Sequence, residues 1–439
     1  MTMTETTTST GFSDESFDAF LASRDEPNWL TEDRRLAWQS FRETPLPKRS
    51  EEEWMRTDIR LLKLDRYTFP TGQANQVDLP SPVLSEGVAV GGSCVSVDGV
   101  SVKHVVDPKW ATRGVLFGDL AGIIAQHGDV IRPHLLRHVV GPQFDKFSAL
   151  NCAGWSSGAV LFVPRGVVAD EPFHVYSVMT DGAVDLGRIL VILEDGAEAT
   201  VLVEMASAAK GVGGLHTGAT ELLLAPRAHL RYVSLQNWAD QVWHFAHQKA
   251  VIDRDASVQW TIGALGSRLA KVNQHVELVG KGASCQVNGT MFTEGRQHLS
   301  YHTRQHHVAP DCTSDFLYKA ALQGQSRTVW RGMIRVDRQA QKTDGYQRND
   351  NLLLSRQARA DAIPGLEIEA DDVRCTHGST TGYVDEEMIF YAQSRGFTRE
   401  EATRMIVTGF FQQIFDRIPI ESVREALGLA IARRVREYE

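Results

Sequence analysis

The chain has 439 residues, 42% of them hydrophobic and 23% charged, with a net charge of −9. That length is several times a minimal domain and the composition is that of an ordinary globular protein, which excludes disulfide-stapled miniproteins, disordered chains and membrane bundles. The acidic balance excludes general nucleic-acid binding, because it repels a phosphate backbone unless a strong basic patch intervenes.

Five cysteines (Cys94, Cys152, Cys285, Cys312, Cys375) are widely spaced, odd in number and never form CxxC. Neither a disulfide framework nor a self-contained zinc site follows from them, and a reducing compartment fits best. The opening MTMTETTTST has no basic n-region or apolar h-region, and no later apolar run approaches bilayer-spanning length. A cytoplasmic protein without membrane contact is expected, with residues 1–25 as a disordered tail.

From about Ser13 to Arg60 the pattern is helical, with Phe17, Phe20 and Leu21 on one stripe and Leu30, Leu36, Trp38 and Phe41 on the next. Pro27, Pro45 and Pro47 interrupt it. After Phe69, prolines, glycines and short apolar runs such as Val88–Val90 and Cys94–Val97 suit a few strands and loops. Residues 26–157 are therefore predicted as an N-terminal helical and mixed region.

From 158 to 383 the texture is that of many short strands, such as AVLFV, ILVIL, ATVLVE and LRYVSL, with no long amphipathic helix between them. A small residue after a polar or glycine corner recurs at Ala197, Ala228, Ala256, Ala283 and Cys312. A near-constant step of about 30 residues with strands and no helices is the mark of a β-solenoid. A β-sandwich is the alternative, but it would carry tight hairpin signals, and only Asn288-Gly289 offers one.

Residues 384–439 return to helix. Asp385 is placed to cap EEMIFYAQSR and Gly396 to stop it, and Thr398-Arg399-Glu400-Glu401 reads as a capping box. Ala402, Met405, Ile406, Gly409, Phe410, Gln413 and Ile414 fall at helical spacing, Pro419 ends that helix, and a last one carries Val423, Leu427, Ala430, Ile431 and Val435. Such helices are expected to cap the open coil of the solenoid, or else to form a docking module.

Two segments carry ligand chemistry. In YHTRQHH, His302 and His306 share a strand face while His307 points the other way, and no carboxylate sits nearby in sequence. In VRCTHGSTTG, Cys375 and His377 project to the same side of an extended backbone, about 7 Å apart. Two such ligands suit iron, zinc or an iron–sulfur species, but two do not close a site, so a partner would supply the rest. No Walker A loop, nucleophile elbow, HExxH or GxGxxG is present, so no nucleotide is expected on this chain. The arginines and Lys342 between Arg327 and Arg359 alternate with Asp337, Asp344, Asp350 and Asp361, which reads as a salt-bridged face.

NLLLS at 351–355, PGLEIEADDVRCTHGSTTG at 364–382, DEEMIFYAQSRG at 385–396 and the following EEATRMIVTGFF together resemble the SufD family of the SUF (SufBCD) iron–sulfur cluster assembly system. VPRGV at 163–167 and EEEWMRTDIR at 51–60 add weaker support. The resemblance covers most of the chain beyond about residue 25. It implies a right-handed parallel β-helix flanked by helical N- and C-terminal regions. It also implies a non-enzymatic scaffold that pairs with SufB and docks the SufC ATPase, or forms a homodimer when alone. His377 matches the histidine facing the nascent iron–sulfur cluster at the SufB contact, and Cys375 the neighbouring cysteine. Residues Asp385, Phe390, Tyr391, Arg395, Gly396 and Phe410 fall in the region matching the SufC-docking helices. A reduced flavin in the whole complex is compatible with the resemblance. The competing readings are a SufB-type paralogue, whose cluster residues stand in a different motif, a β-helix carbohydrate-active enzyme and an adhesin-type solenoid.

Overall fold

The computed structural model describes residues 11–70, 72–135 and 140–436. Each turn of the central chain gives one strand to each of two sheets. One sheet runs in spatial order from Gly92–Val97 through Phe173–Met179, Glu198–Ser207, His229–Asn237, Ser257–Ala264, Ser284–Thr293, Thr313–Leu322 and Thr343–Leu353 to Val373–Tyr383. The other runs from Ser157–Val163 through Gly187–Leu193, Gly213–Leu224, Gln241–Ile252, Leu269–Leu278, His298–His307 and Arg327–Val336 to Arg359–Ile368. All these neighbours are parallel, which makes a β-helix of about eight turns. At the N-terminal end, antiparallel strands Val100–Val106 and Leu116–Asp119 cover both edges.

The small-residue repeat marks the corners. Gly196, Arg227, Asp255, Gly282, Asp311 and Lys342 all have φ between 57° and 74°, and each directly precedes a buried residue: Ala197, Ala228, Ala256, Ala283, Cys312 and Thr343. The left-handed residue turns the chain. The one after it faces the interior where two strands meet, and space there admits little beyond a methyl or thiol. Asn288-Gly289 is no hairpin: it lies within the parallel strand Ser284–Thr293. A Cβ on Gly289 would stand 2.2 Å from the Tyr318 ring, so the glycine makes room for an aromatic of the next coil.

Register stacks like positions into columns. Leu193, Leu224, Ile252, Leu278, His307 and Val336 form one, and Phe173, Val201, Tyr232, Trp260, Val287, Phe316, Gln347 and His377 another. The interior is thus aliphatic and aromatic in the first coils and turns polar in the last ones.

Helices Asp14–Ala22 and Asn28–Glu43 pack Phe17, Phe20, Trp38 and Phe41 with Phe69, Phe147 and Phe245. A reciprocal Ser13–Ser16 capping box opens the first. Residues 11–25 are therefore ordered, which corrects the expected tail; residues 1–10 lie outside the described residues. Burial of two phenylalanines overrides the polar opening. Arg34, also buried, bonds Glu26 at 2.7 Å and Ala153 O at 3.1 Å and lies 4.1 Å over the Trp155 ring, whereas Leu36, expected on the apolar stripe, is 63% exposed. The solenoid also begins earlier than residue 158, since Gly92–Val97 is a full member of its ladder.

Helices Arg399–Phe415 and Glu421–Arg436 do not close the open coil. They lie along the first sheet, with Val407, Phe411, Ile414, Val423 and Leu427 against Leu235, Phe292 and Leu317. The buried stripe is accordingly shifted from the expected one, and Met405, Gly409 and Gln413 face outward. No helix among the described residues is long and apolar enough to cross a membrane.

Candidate functional site

Among the described residues, nothing is stacked over the last coil. Strands Arg359–Ile368 and Val373–Tyr383 end their sheets, so each offers one row of unpaired backbone groups. Cys375 pairs in register with Gly345 and His377 with Gln347, both buried interior positions. Cys375 and His377 thus stand where core residues stand in every earlier coil, but without a covering coil. Cys375 is half-buried, next to Val373 in the cluster of Ile334, Val336, Ala340 and Ala370, and a Cβ on Gly345 would approach its Sγ to 3.3 Å. Burial pushes its thiol up, so it is protonated at neutral pH and needs a metal or a cation to become a thiolate ligand. His377 is exposed. Beneath it Gln347 donates to Gly365 O at 3.0 Å, while its Oε1 has no protein partner.

From Tyr383 the chain enters helix Glu386–Ser394. Asp385 accepts from Glu387 N at 2.8 Å, and Gly396, at φ +91°, ends the helix. Only Ile389 is buried; Met388 is 58%, Tyr391 61% and Phe390 73% exposed. Arg395 lies 5.1 Å over the Tyr391 ring and donates to its hydroxyl at 3.0 Å, which stiffens that face. Phe410 is half-buried, with Lys319 bonded to its carbonyl and 4.8 Å over its ring, so it is held against the solenoid.

The histidines separate as strand alternation requires. His307 is buried inside and bonds Ser314 Oγ at 2.7 Å, while His302 and His306 line the outer wall. The carboxylates missing from their sequence neighbourhood come from elsewhere. Glu53 meets His302 at 2.6 Å, Asp337 meets His306 Nε2 at 3.0 Å, and Glu277, its register partner one coil back, lies 3.8 Å from His306 Nδ1. Glu53, His302 and His275 line a cleft of about 390 Å³ between the outer wall and the N-terminal region, together with Lys271, which desolvation pulls down to about 7. Cys312 plays no part; its thiol donates to Gly280 O at a corner. Five arginines of the basic stretch are paired within it or with the N-terminal region: Arg327 and Arg359 pair with Asp361, Arg335 with Asp337, Arg348 with Asp350, and Arg331 with Glu52 and Glu53.

The fold is a parallel β-helix with helical flanks that leaves a cysteine and a histidine on its uncovered terminal coil. The sequence matches the SUF system FeS cluster assembly SufBD core domain over residues 176–410 and the SufBD protein N-terminal region over 18–175. The chain belongs to the SufBD family of iron–sulfur cluster assembly proteins. It is 25% identical over 441 residues to an iron–sulfur cluster assembly SufBD family protein of Staphylococcus epidermidis, covering 94% of this chain and 93% of that one. It is likewise 25% identical over 427 residues to the iron–sulfur cluster assembly protein SufB of Bacillus subtilis, covering 94% and 90%.

Proposed function

We propose that this chain is a SufD-type scaffold: it pairs through its open coil with a SufB-type chain, docks a SufC-type ATPase on the helices after Tyr383, and offers His377 and Cys375 to a nascent iron–sulfur cluster. The observation that carries this reading is the position of those two residues, in register with the core yet uncovered. Two ligands beside unpaired strand edges make half a site, and a second solenoid brought edge to edge would supply the remainder. The exposed aromatic face of Glu386–Ser394 begins three residues after that strand, so a force applied to the helix reaches the ligand strand directly. In this reading the chain makes and breaks no bonds itself. The ATPase drives the change by binding nucleotide more tightly in one state of the complex than in the other.

Co-expression of the tagged chain with its cognate SufB- and SufC-type partners tests the proposal. The wild-type chain should retain both, Phe390→Glu with Tyr391→Glu should lose only the ATPase, and His377→Ala should keep both while cluster yield on anaerobic reconstitution falls at least tenfold. Retention of neither partner by the wild-type chain would overturn the scaffold reading, and a wild-type cluster yield from His377→Ala would remove that residue's role. Point substitutions are preferable to truncation after Tyr383, which would strip the cover from Leu235, Phe292 and Leu317. The likeness to B. subtilis SufB favours a SufB-type chain as the second reading. Pairwise co-expression decides between them, because a SufB-type chain would select a SufD-type partner instead.

A further inference from the structure

On the outer wall of the second sheet, well away in sequence from Cys375 and His377, three side chains from two successive coils converge. His275 and Glu277 come from Leu269–Leu278 and His306 from His298–His307, and one ligand atom of each lies within 4.8 Å of the others. We infer that His275 Nε2, Glu277 Oε1 and His306 Nδ1 form a binding site for a divalent transition-metal ion of the Fe(II), Co(II) or Zn(II) class, distinct from the open coil.

The separations favour this over a hydrogen-bonded cluster. His275 Nε2 and His306 Nδ1 stand 3.6 and 3.8 Å from the same oxygen, Glu277 Oε1, too far for hydrogen bonds. Ligand bonds of about 2.1 Å at tetrahedral angles give an N···O edge of roughly 3.4 Å, close to both. His275 Nε2 is buried and has no hydrogen-bond partner, which is costly for a polar atom unless something occupies the space in front of it. His306 is oriented from behind: its Nε2 meets Asp337 Oδ1 at 3.0 Å, and Asp337 is itself held by Arg335 at 3.1 Å. A proton on Nε2 leaves the Nδ1 lone pair aimed at Glu277, the carboxylate–histidine arrangement that orients metal ligands. Lys249 occupies the other carboxylate oxygen, Oε2, at 3.0 Å, so Glu277 presents one oxygen to the ion. Two imidazoles and one carboxylate leave further coordination positions open, the donor set of non-haem Fe(II) and catalytic zinc sites.

The test is anaerobic titration of the full-length chain, with any affinity tag removed, using Co(II) followed by its visible absorption and Fe(II) or Zn(II) by equilibrium dialysis. One equivalent of Co(II) is expected, with nitrogen and oxygen ligand-field bands and no thiolate charge-transfer band. Glu277→Gln and His275→Gln should each weaken it at least 100-fold, and Asp337→Asn about tenfold through His306. Lys249→Met, which keeps all three ligands but removes the ammonium from Glu277 Oε2, should tighten it several-fold. Cys375→Ser with His377→Ala should leave it unchanged. These side chains face outward, and far-ultraviolet circular dichroism checks that each variant folds. Absence of stoichiometric binding, binding indifferent to Glu277→Gln, or binding lost with His377→Ala would overturn the inference. None of these outcomes depends on the scaffold reading.

Discussion

Arg188→Met is expected to lower the unfolding free energy by about 3–5 kcal/mol, because it strands a buried carboxylate. Arg188 and Glu221 are both fully buried on the outer wall and pair at 2.9 Å. The guanidinium also donates to Asn151 Oδ1 at 3.0 Å and Val140 O at 2.8 Å, while Glu221 accepts from Val140 N at 3.0 Å. Asn151 belongs to helix Lys146–Gly154 and in turn donates to Gly187 O and Thr217 O, both at 2.9 Å. The network therefore fastens that helix to two coils through planar donors, each with an acceptor. Arg188→Lys should recover little, since an ammonium cannot reproduce the fork. Pairing Arg188→Met with Glu221→Met should recover most of the loss, because no charge is then left without a partner. Urea unfolding followed by circular dichroism reads all three; a loss under about 1 kcal/mol for Arg188→Met would show that Glu221 finds another partner.

Asp185→Asn is expected to stabilise the protein at pH 8 and to change little near pH 4. Asp185 is fully buried; Ser157 bonds Oδ1 at 3.1 Å and Oδ2 has no partner. Desolvation is the main cause that raises its carboxyl to about 7, with Asp98 adding repulsion. His216, its register partner, offers no compensating charge, because burial and the adjacent His244 hold it neutral. The folded state therefore keeps a proton that the unfolded chain releases near pH 4. Stability is full below that pH and falls as the pH rises to about 7, by a total on the order of 4 kcal/mol. Asparagine keeps the Ser157 contact and never ionises, so the variant should lose this slope. Equal wild-type stability at pH 5 and pH 8 would count against the assignment.

What the sequence determined by itself is what short-range geometry controls. Corners need a residue that tolerates positive φ followed by a small one, so Gly196-Ala197, Arg227-Ala228 and Asp311-Cys312 disclose the coil length. Asp385, Gly396 and the Thr398–Glu401 box disclose helix ends because capping involves residues within one turn. The CTHGSTTG motif and its flanks point to SufD, and the match over the core domain shows the broader SufBD family.

Tertiary structure decided everything that depends on distance along the chain. Gly289 was ambiguous because its reason, the Tyr318 ring, lies one coil later. Which side of Arg399–Phe415 is buried depends on Phe292 and Leu317, more than 80 residues away, and two nearly equal apolar stripes on one helix cannot be ranked without them. The carboxylates of His306 were invisible for the same reason: Glu277 and Asp337 are each about one coil distant, and a parallel β-helix turns that separation into side-by-side register. The exposure of His377 is likewise a property of the stack, since its strand reads like any other and is uncovered because no further coil follows it among the described residues.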